Sequence, residues 1–341
     1  MIAGRTVDES APQARAPAPG CVCGFPLPPT GFDPETADDD ALRRYGLPLV
    51  SEMAGNPQAS AFRRAFLQRR AGGPPLRFLQ AMRAAGLPGP GVRASVRLTG
   101  PALRSVNWSG GCVTPRDGRS LVSVMGAWTA PAVSAPPGGT EPEYRSSTWL
   151  GLDGQSRYLD SSLPQIGTLQ RWINGPAAKA KYSAWFQWWS RGRDEPPFDL
   201  TLEVAAGDEI RAIIVALDDT TVLAAMRNVT QDTVTTLLAS APQPCRISGA
   251  SAQWIMERPS PMGVDGWGAY PLPAYAPFSF SQCVAESLAP GRSALLDHPL
   301  DDARLIQMYE LTQPPARIRT ISTAQREDQP PPRLALRYGG P

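Results

Sequence analysis

The feature that most limits what this chain can become is its punctuation. From about Val96 onward, short alternating apolar stretches are cut by Pro, Gly, Asn and Asp, and no helical period intervenes. The stretches are Ser105–Val113, Ser120–Thr129, Thr148–Leu152, Leu163–Ile173, Lys181–Trp189, Leu200–Ala205, Glu209–Leu217, Thr221–Val229, Thr233–Leu238, Ser251–Met256 and Phe278–Val284. Side chains of a strand alternate between two faces, so each stretch can bury one face only if another sheet covers it. Many such strands in succession predict an all-β domain, an antiparallel β-sandwich or barrel, over residues 102–287.

The flanks read differently. Residues 1–36 are rich in Ala, Pro and Gly without periodicity, the composition of a disordered leader. Residues 37–101 read as a basic, partly helical arm. A helix is expected behind Asp38-Asp39-Asp40, ending at Gly46. A second spans Ala59 to Arg70 with Phe62, Phe66 and Leu67 on one face, and a third Leu76 to Ala85 with Phe78, Leu79 and Met82. Residues 288–341 read as a C-terminal extension with a short helix over Pro299–Glu310 and a Pro-rich tail.

Charge sharpens this division. Residues 1–97 hold twelve Arg against eight acids, and Ala61 to Arg97 hold eight Arg and no acid. Residues 98–290 carry 14 Lys/Arg against 17 Asp/Glu. On charge alone such an arm suits a nucleic acid, a membrane surface or its own domain. No apolar run is long enough to span a membrane, and the first residues lack the apolar core of a signal peptide.

One histidine, His298, is present in 341 residues. That removes imidazole-based nucleophilic triads and His-rich zinc sites from consideration, and His298 itself is expected at the surface. Cys21, Cys23, Cys112, Cys245 and Cys283 form no metal-ligand pattern, and no cofactor or metal is expected. Cys112 and Cys283 are expected to be neighbours. Asn228-Val229-Thr230 matches a glycosylation sequon. Acid–base chemistry, if present, falls to carboxylates.

Glu257 ends the strand Ser251–Met256, on one face with Gln253 and Ile255, and Pro259 stops the ladder. Read alone it is a solvated charge. Trp149-Leu150-Gly151-Leu152-Asp153-Gly154 runs a strand into an Asp-Gly hairpin turn, and Leu163-Pro164-Gln165-Ile166-Gly167 begins the next extended piece. Tyr182-Ser183-Ala184-Trp185-Phe186-Gln187-Trp188-Trp189 is either a core strand with an aromatic outer face or the wall of a cleft for extended substrate.

Taken in order with Ser105-Val106-Asn107-Trp108-Ser109-Gly110 and Ala252-Gln253-Trp254-Ile255-Met256-Glu257, these segments resemble the glutamic peptidases (eqolisins) over residues 104–285. The resemblance implies a concanavalin-like antiparallel β-sandwich of two curved sheets with a partly helical N-terminal extension. It also implies an acid-active endopeptidase. Its catalytic pair falls on Gln165 and Glu257, with Trp149, Asp153, Gly154, Gly167, Tyr182, Gln187 and Trp189 on substrate-binding positions. It further implies peptide or protein substrates, an intramolecular basic prosegment, secretion, a monomer, and neither nucleic-acid nor membrane partners.

The chain departs from the family pattern at Gln187 and Trp189, where Glu and Tyr are usual, and in a longer gap between Asp153 and Gln165. Cys245 matches a family cysteine whose partner is missing here. Two other readings remain: a sandwich glycoside hydrolase using Glu257 and Asp153, and a glycan- or peptide-binding sandwich without turnover.

Overall fold

Strand β6 (Ser120–Thr129) shows why the chain builds more than two layers. Val124 and Trp128 point to one side and Met125 to the other, and all three are fully buried. Both faces of that sheet must therefore be covered. The computed structural model describes residues 17–51, 55–69, 75–81, 96–97, 103–154, 162–191, 196–261, 269–312, 317–327 and 330–340.

In chain order the strands are β1 (Val22–Gly24), β2 (Arg77–Leu79), β3 (Val96–Arg97), β4 (Leu103–Ser105), β5 (Trp108–Val113), β6, β7 (Val133–Ser134), β8 (Glu143–Leu152), β9 (Ser162–Ile173), β10 (Lys179–Ser190), β11 (Phe198–Leu200), β12 (Glu209–Ala216), β13 (Thr221–Asn228), β14 (Thr233–Ser240), β15 (Ala252–Glu257), β16 (Ala274–Tyr275), β17 (Phe278–Leu288), β18 (Leu296–Pro299), β19 (Arg304–Thr312), β20 (Arg317–Glu327) and β21 (Arg333–Tyr338).

The front sheet runs β11-β10-β9-β8-β15-β5, antiparallel throughout. The back sheet runs β17-β6-β12-β13-β14, also antiparallel. Strands β19, β20 and β21 join them along one side, from β5 to β17. Trp254, Met256, Leu150, Ile166 and Phe186 of the front pack against Val124, Trp128, Ile214 and Leu237 of the back. Indole N–H groups bridge the layers: Trp254 Nε1 donates to the Met125 carbonyl at 2.9 Å, and Trp128 Nε1 to Thr168 Oγ1 at 3.2 Å. Each satisfies a polar atom inside an apolar core. The expected β-sandwich is present.

The N-terminal arm forms a third layer on the outer face of the back sheet. Helix α1 (Asp39–Arg44) is capped by Asp38, whose carboxylate accepts from the Ala41 N–H at 2.8 Å. Helix α2 (Pro57–Leu67) is capped by Asn56 and has Pro at its first position. Leu42, Leu47, Phe62, Phe66 and Leu67 cover Met125, Ile213, Ala225, Val234 and Val284. The Arg227 guanidinium, fully buried, donates to the Phe66 carbonyl and pairs with Asp232 at 2.9 Å. Phe66→Ala should therefore destabilise the whole chain by about 3–5 kcal/mol. Urea titration checks this; a loss below 1 kcal/mol would mean the arm is only loosely laid down.

Several expectations change. The segment from Leu76 yields strand β2, which pairs parallel with β14, rather than a helix; residues 82–85 lie outside the described residues. Pro299–Glu310 holds one 3₁₀ turn, Leu300–Asp302, and then β19, so the C-terminal extension is part of the sheet rather than a tail. His298 is buried at 2 % exposure, with Nε2 2.7 Å from Ser287 Oγ, and burial lowers its pKa. Cys112 packs on the outer face of the front sheet and Cys283 between the sheets, so the two are not neighbours, and no disulfide joins cysteines among the described residues. Asn228 is fully buried and its Nδ2 donates to the Glu203 carbonyl and to Asp208, so the folded sequon offers no acceptor nitrogen.

Candidate active site

Register places the residues of interest in three rows across the outer face of the front sheet. One row reads Gln187, Gln165, Gly151, Gln253, Cys112. The next reads Trp185, Gly167, Trp149, Ile255, Gly110, and the third Ser183, Leu169, Ser147, Glu257, Trp108. Gln165, Trp149 and Glu257 thus lie on one diagonal, on three adjacent strands and one face. The glycines leave room for the indole: a Cβ on Gly167 would sit 2.5 Å from Trp149 Cβ.

Glu257 is fully buried. Trp149 Nε1 donates to its Oε2 at 2.7 Å, and Asn107 Nδ2 approaches Oε1 at 3.5 Å. Burial pushes its pKa up to about 8, against the opposing effect of Trp149, Trp108 and Asn107. The Trp108 indole N–H lies buried without a partner in hydrogen-bonding geometry, so Trp149 is the donor that fixes the carboxyl. A carboxyl so placed stays protonated through neutrality in the absence of entering water.

Gln165 is also fully buried. Its Nε2 donates to Gln187 Oε1, directly across the ladder, at 3.0 Å, and its Oε1 has no hydrogen-bond partner. A buried amide oxygen without a partner costs about 1–3 kcal/mol.

A family model for the Peptidase A4 family matches residues 106–328. The chain belongs to that family. Aspergillopepsin-2 from Aspergillus niger is 24 % identical over 169 residues, 45 % of this chain and 56 % of its own length. The chain thus matches little more than half of that relative. Among solved structures, scytalido-glutamic peptidase with a transition state analog inhibitor is 19 % identical with a TM-score of 0.52, covering 68 % of this chain and 98 % of its own. SCP-B, an eqolisin family member in complex with the tripeptide Ala-Ile-His, is 18 % identical with a TM-score of 0.50, at the same coverage. At these identities the likeness shows the fold.

Within this Peptidase A4 sandwich, the other sequence-derived residues divide. Gln187 and Trp189 share the face of Gln165, and Trp189 belongs to the same outer-face apolar cluster as Trp108, Trp149 and Trp185. Tyr182 does not: it lies on the alternate face, towards the inter-sheet core, with its hydroxyl donating to the Pro131 carbonyl at 3.3 Å. The strand pattern made both faces aromatic, so aromaticity alone could not assign the side. Gly167 serves the site by its missing side chain.

Asp153 and Gly154 both adopt positive φ, 65° and 84°, yet they open a longer connection instead of a two-residue hairpin, since β8 stops at Leu152 and β9 starts at Ser162. The Asp153 carboxylate accepts from Ser248 N at 2.6 Å, Ser248 Oγ at 2.9 Å and Ala250 N at 2.7 Å. It is 4 % exposed, and burial raises its pKa despite these bonds. Its role is to tie the segment before β15 to the end of β8. Asp153→Asn puts an amide NH₂ against backbone donors and should cost about 1.5–3 kcal/mol. The drop in thermal midpoint measures it, and an unchanged midpoint would remove the anchoring role.

Sequence reasoning did not single out Asn107 or Trp108 as neighbours of the carboxyl. Both belong to the segment Ser105–Gly110 quoted for the resemblance. The signal available was Trp108, which stands directly opposite Glu257 once β5 and β15 are paired.

Proposed function

We propose that the chain is an endopeptidase in which Glu257 activates water and then protonates the leaving amine, while the Gln165 amide donates to the developing oxyanion. The observation that carries this reading is the shared face: a carboxyl held by Trp149 and an amide with an unpaired oxygen lie on one diagonal. In a flat sheet their Cα atoms would stand about 16 Å apart, two strands over and four residues along. The pair therefore acts across a bound peptide group rather than by mutual contact. Amide hydrolysis needs a base, an acid and an oxyanion donor, and one carboxyl with one amide supplies all three.

Family membership and fold agree with this chemistry. The paired-carboxylate alternative is disfavoured, because every oxygen of the Asp153 carboxylate is engaged by Ser248 and Ala250.

Both residues have no solvent exposure, so the conformation described is latent and must open to admit a peptide. The basic arm is a candidate for holding it closed, although its packed portion covers the back sheet and not Glu257. Among its described residues, β3 lies beside β4, and the Gln80 carbonyl accepts from Thr201, directly after β11 at the far edge of the front sheet. Opening hydrates Glu257 and lowers its pKa from about 8, releasing a proton. Glu257 by itself thus resists opening in acid, and any acid-triggered opening must come from other carboxylates whose ion pairs are lost on protonation.

The full chain should cleave a fluorogenic protein substrate after incubation at pH 3–5, insensitive to pepstatin and without action on β-glucan. No cleavage at any pH from 2 to 8, after acid incubation or proteolytic nicking of the arm, would sink the proposal.

A further inference from the structure

Beyond the site on the front face, a cavity of about 510 Å³ opens one residue past Glu257. Its lining includes Arg258, Glu310, Arg319, Tyr338, Leu272 and the exposed rim residue Glu141. The two guanidiniums belong to different parts of the chain. Arg258 follows β15, its backbone N–H donates to the Asn107 carbonyl at 2.7 Å, and its Nη2 donates to the Val106 carbonyl at 2.9 Å. Arg319 and Glu310 face each other across the β19–β20 hairpin.

Charge within this cavity is unevenly matched. Glu310 accepts from Arg319 Nη2 and also faces Arg258 Nη1, but at 3.7 Å, too long for a hydrogen bond. The Nε atoms of both arginines are buried without partners. Arg258 has only 15 % side-chain exposure, so its charge is poorly hydrated as well as loosely paired. One carboxylate thus serves two guanidiniums inside the cavity, while Glu141 is at the solvent-screened rim. A planar guanidinium in this state is matched by a second carboxylate, which it can bind through two parallel N–H donors.

We infer that this cavity is a secondary substrate site that takes a carboxylate of a bound peptide, an acidic side chain or a free C-terminus, on Arg258 and Arg319. The inference rests on the endopeptidase reading for its biological use, not for its chemistry. Glu310 holds the arginines in place when the cavity is empty and competes with the incoming carboxylate. Leu272 and Tyr338 supply apolar surface for the adjoining backbone. Because Arg258 also braces Val106 and Asn107, and Asn107 faces Glu257, an occupant would sit against the segment that supports the catalytic carboxyl.

The test is equilibrium binding to the full chain at pH 6, read by fluorescence anisotropy with three labelled peptides of otherwise identical sequence. One carries an internal Glu and an amidated end, one an internal Gln and an amidated end, and one an internal Gln and a free C-terminus. Binding of at least one carboxylate peptide about tenfold tighter than the neutral one is expected, from the worth of a charge-assisted hydrogen bond. The arm that gains identifies the source of the carboxylate. Arg319→Gln should erase the difference, and Glu310→Gln should enlarge it by removing the internal competitor. Equal binding of all three peptides, or a difference that survives Arg319→Gln, overturns the inference. Because binding is read without turnover, selective binding by a chain that hydrolyses nothing would sink the endopeptidase reading alone.

Discussion

Glu257→Gln is expected to abolish peptide hydrolysis, by at least the ~10²–10⁴-fold that a positioned acid–base group contributes, and to change how stability depends on pH. The two effects share one cause. The substitution keeps the shape of the side chain and its bond from Trp149 but removes the group that exchanges a proton. In the folded chain Glu257 binds its proton up to about pH 8, whereas the unfolded chain releases it near 4.5, the ordinary value of a solvated glutamate.

The native state therefore holds more protons than the unfolded state between those values, and stability falls as pH rises through the window. Each pH unit is worth about 1.4 kcal/mol for one fully buried group. The wild-type contribution is complete below pH 4.5 and is lost by about pH 8, while the glutamine variant carries no such slope. Urea titrations of both proteins at pH 4, 6 and 8 measure the difference. Parallel stability profiles would show that Glu257 is not the proton-binding group, and near-normal cleavage by the variant would remove it from the mechanism.

Gln165→Ala should lower kcat by ~10²–10³, the usual cost of one oxyanion donor, with a smaller change in KM. The amide is held from one side only, by Gln187 directly opposite, and its own oxygen is unpaired. Deleting it relieves the unpaired oxygen, which offsets part of the cost of taking this donor from Gln187, so the net loss of stability should be small, about 1 kcal/mol. That combination, large in rate and small in stability, separates a catalytic amide from a structural one. A variant with wild-type kcat would end the assignment, as would one that lost rate only in proportion to its folded fraction.

Much of the back sheet was legible because a period of two is a strong constraint. Ser120–Thr129 was bounded correctly, and Glu209–Leu217 and Thr221–Val229 each overran by one residue. The N-cap at Asp38 and the helix carrying Phe62 and Phe66 followed from local chemistry that operates within a few residues. The errors cluster where local signals are compatible with two outcomes. Leu76–Leu79 and Arg304–Thr312 have apolar spacing that suits a helix, but each lies beside a sheet edge with unpaired backbone groups, β14 for one and β5 for the other. Pairing those edges decided for strand. His298 was misplaced for a similar reason, since flanking prolines suggest a surface loop and the β17–β18 ladder buried it.

The resemblance to the glutamic peptidases, not spacing, suggested Gln165 and Glu257 as a pair; residue types and spacing alone determined that this chain is an antiparallel β-sandwich or barrel and that its acid–base chemistry falls to carboxylates. Those properties depend on side-chain alternation and functional-group chemistry, which are written along the strand. Only the tertiary structure decided that Trp149 stands between Gln165 and Glu257, that Asp153 is spent on an anchor, and that the arm covers the back sheet. These depend on pairing between strands a hundred residues apart and on what remains uncovered once they pair. The raised pKa of Glu257 has the same origin, because it comes from burial in the assembled fold.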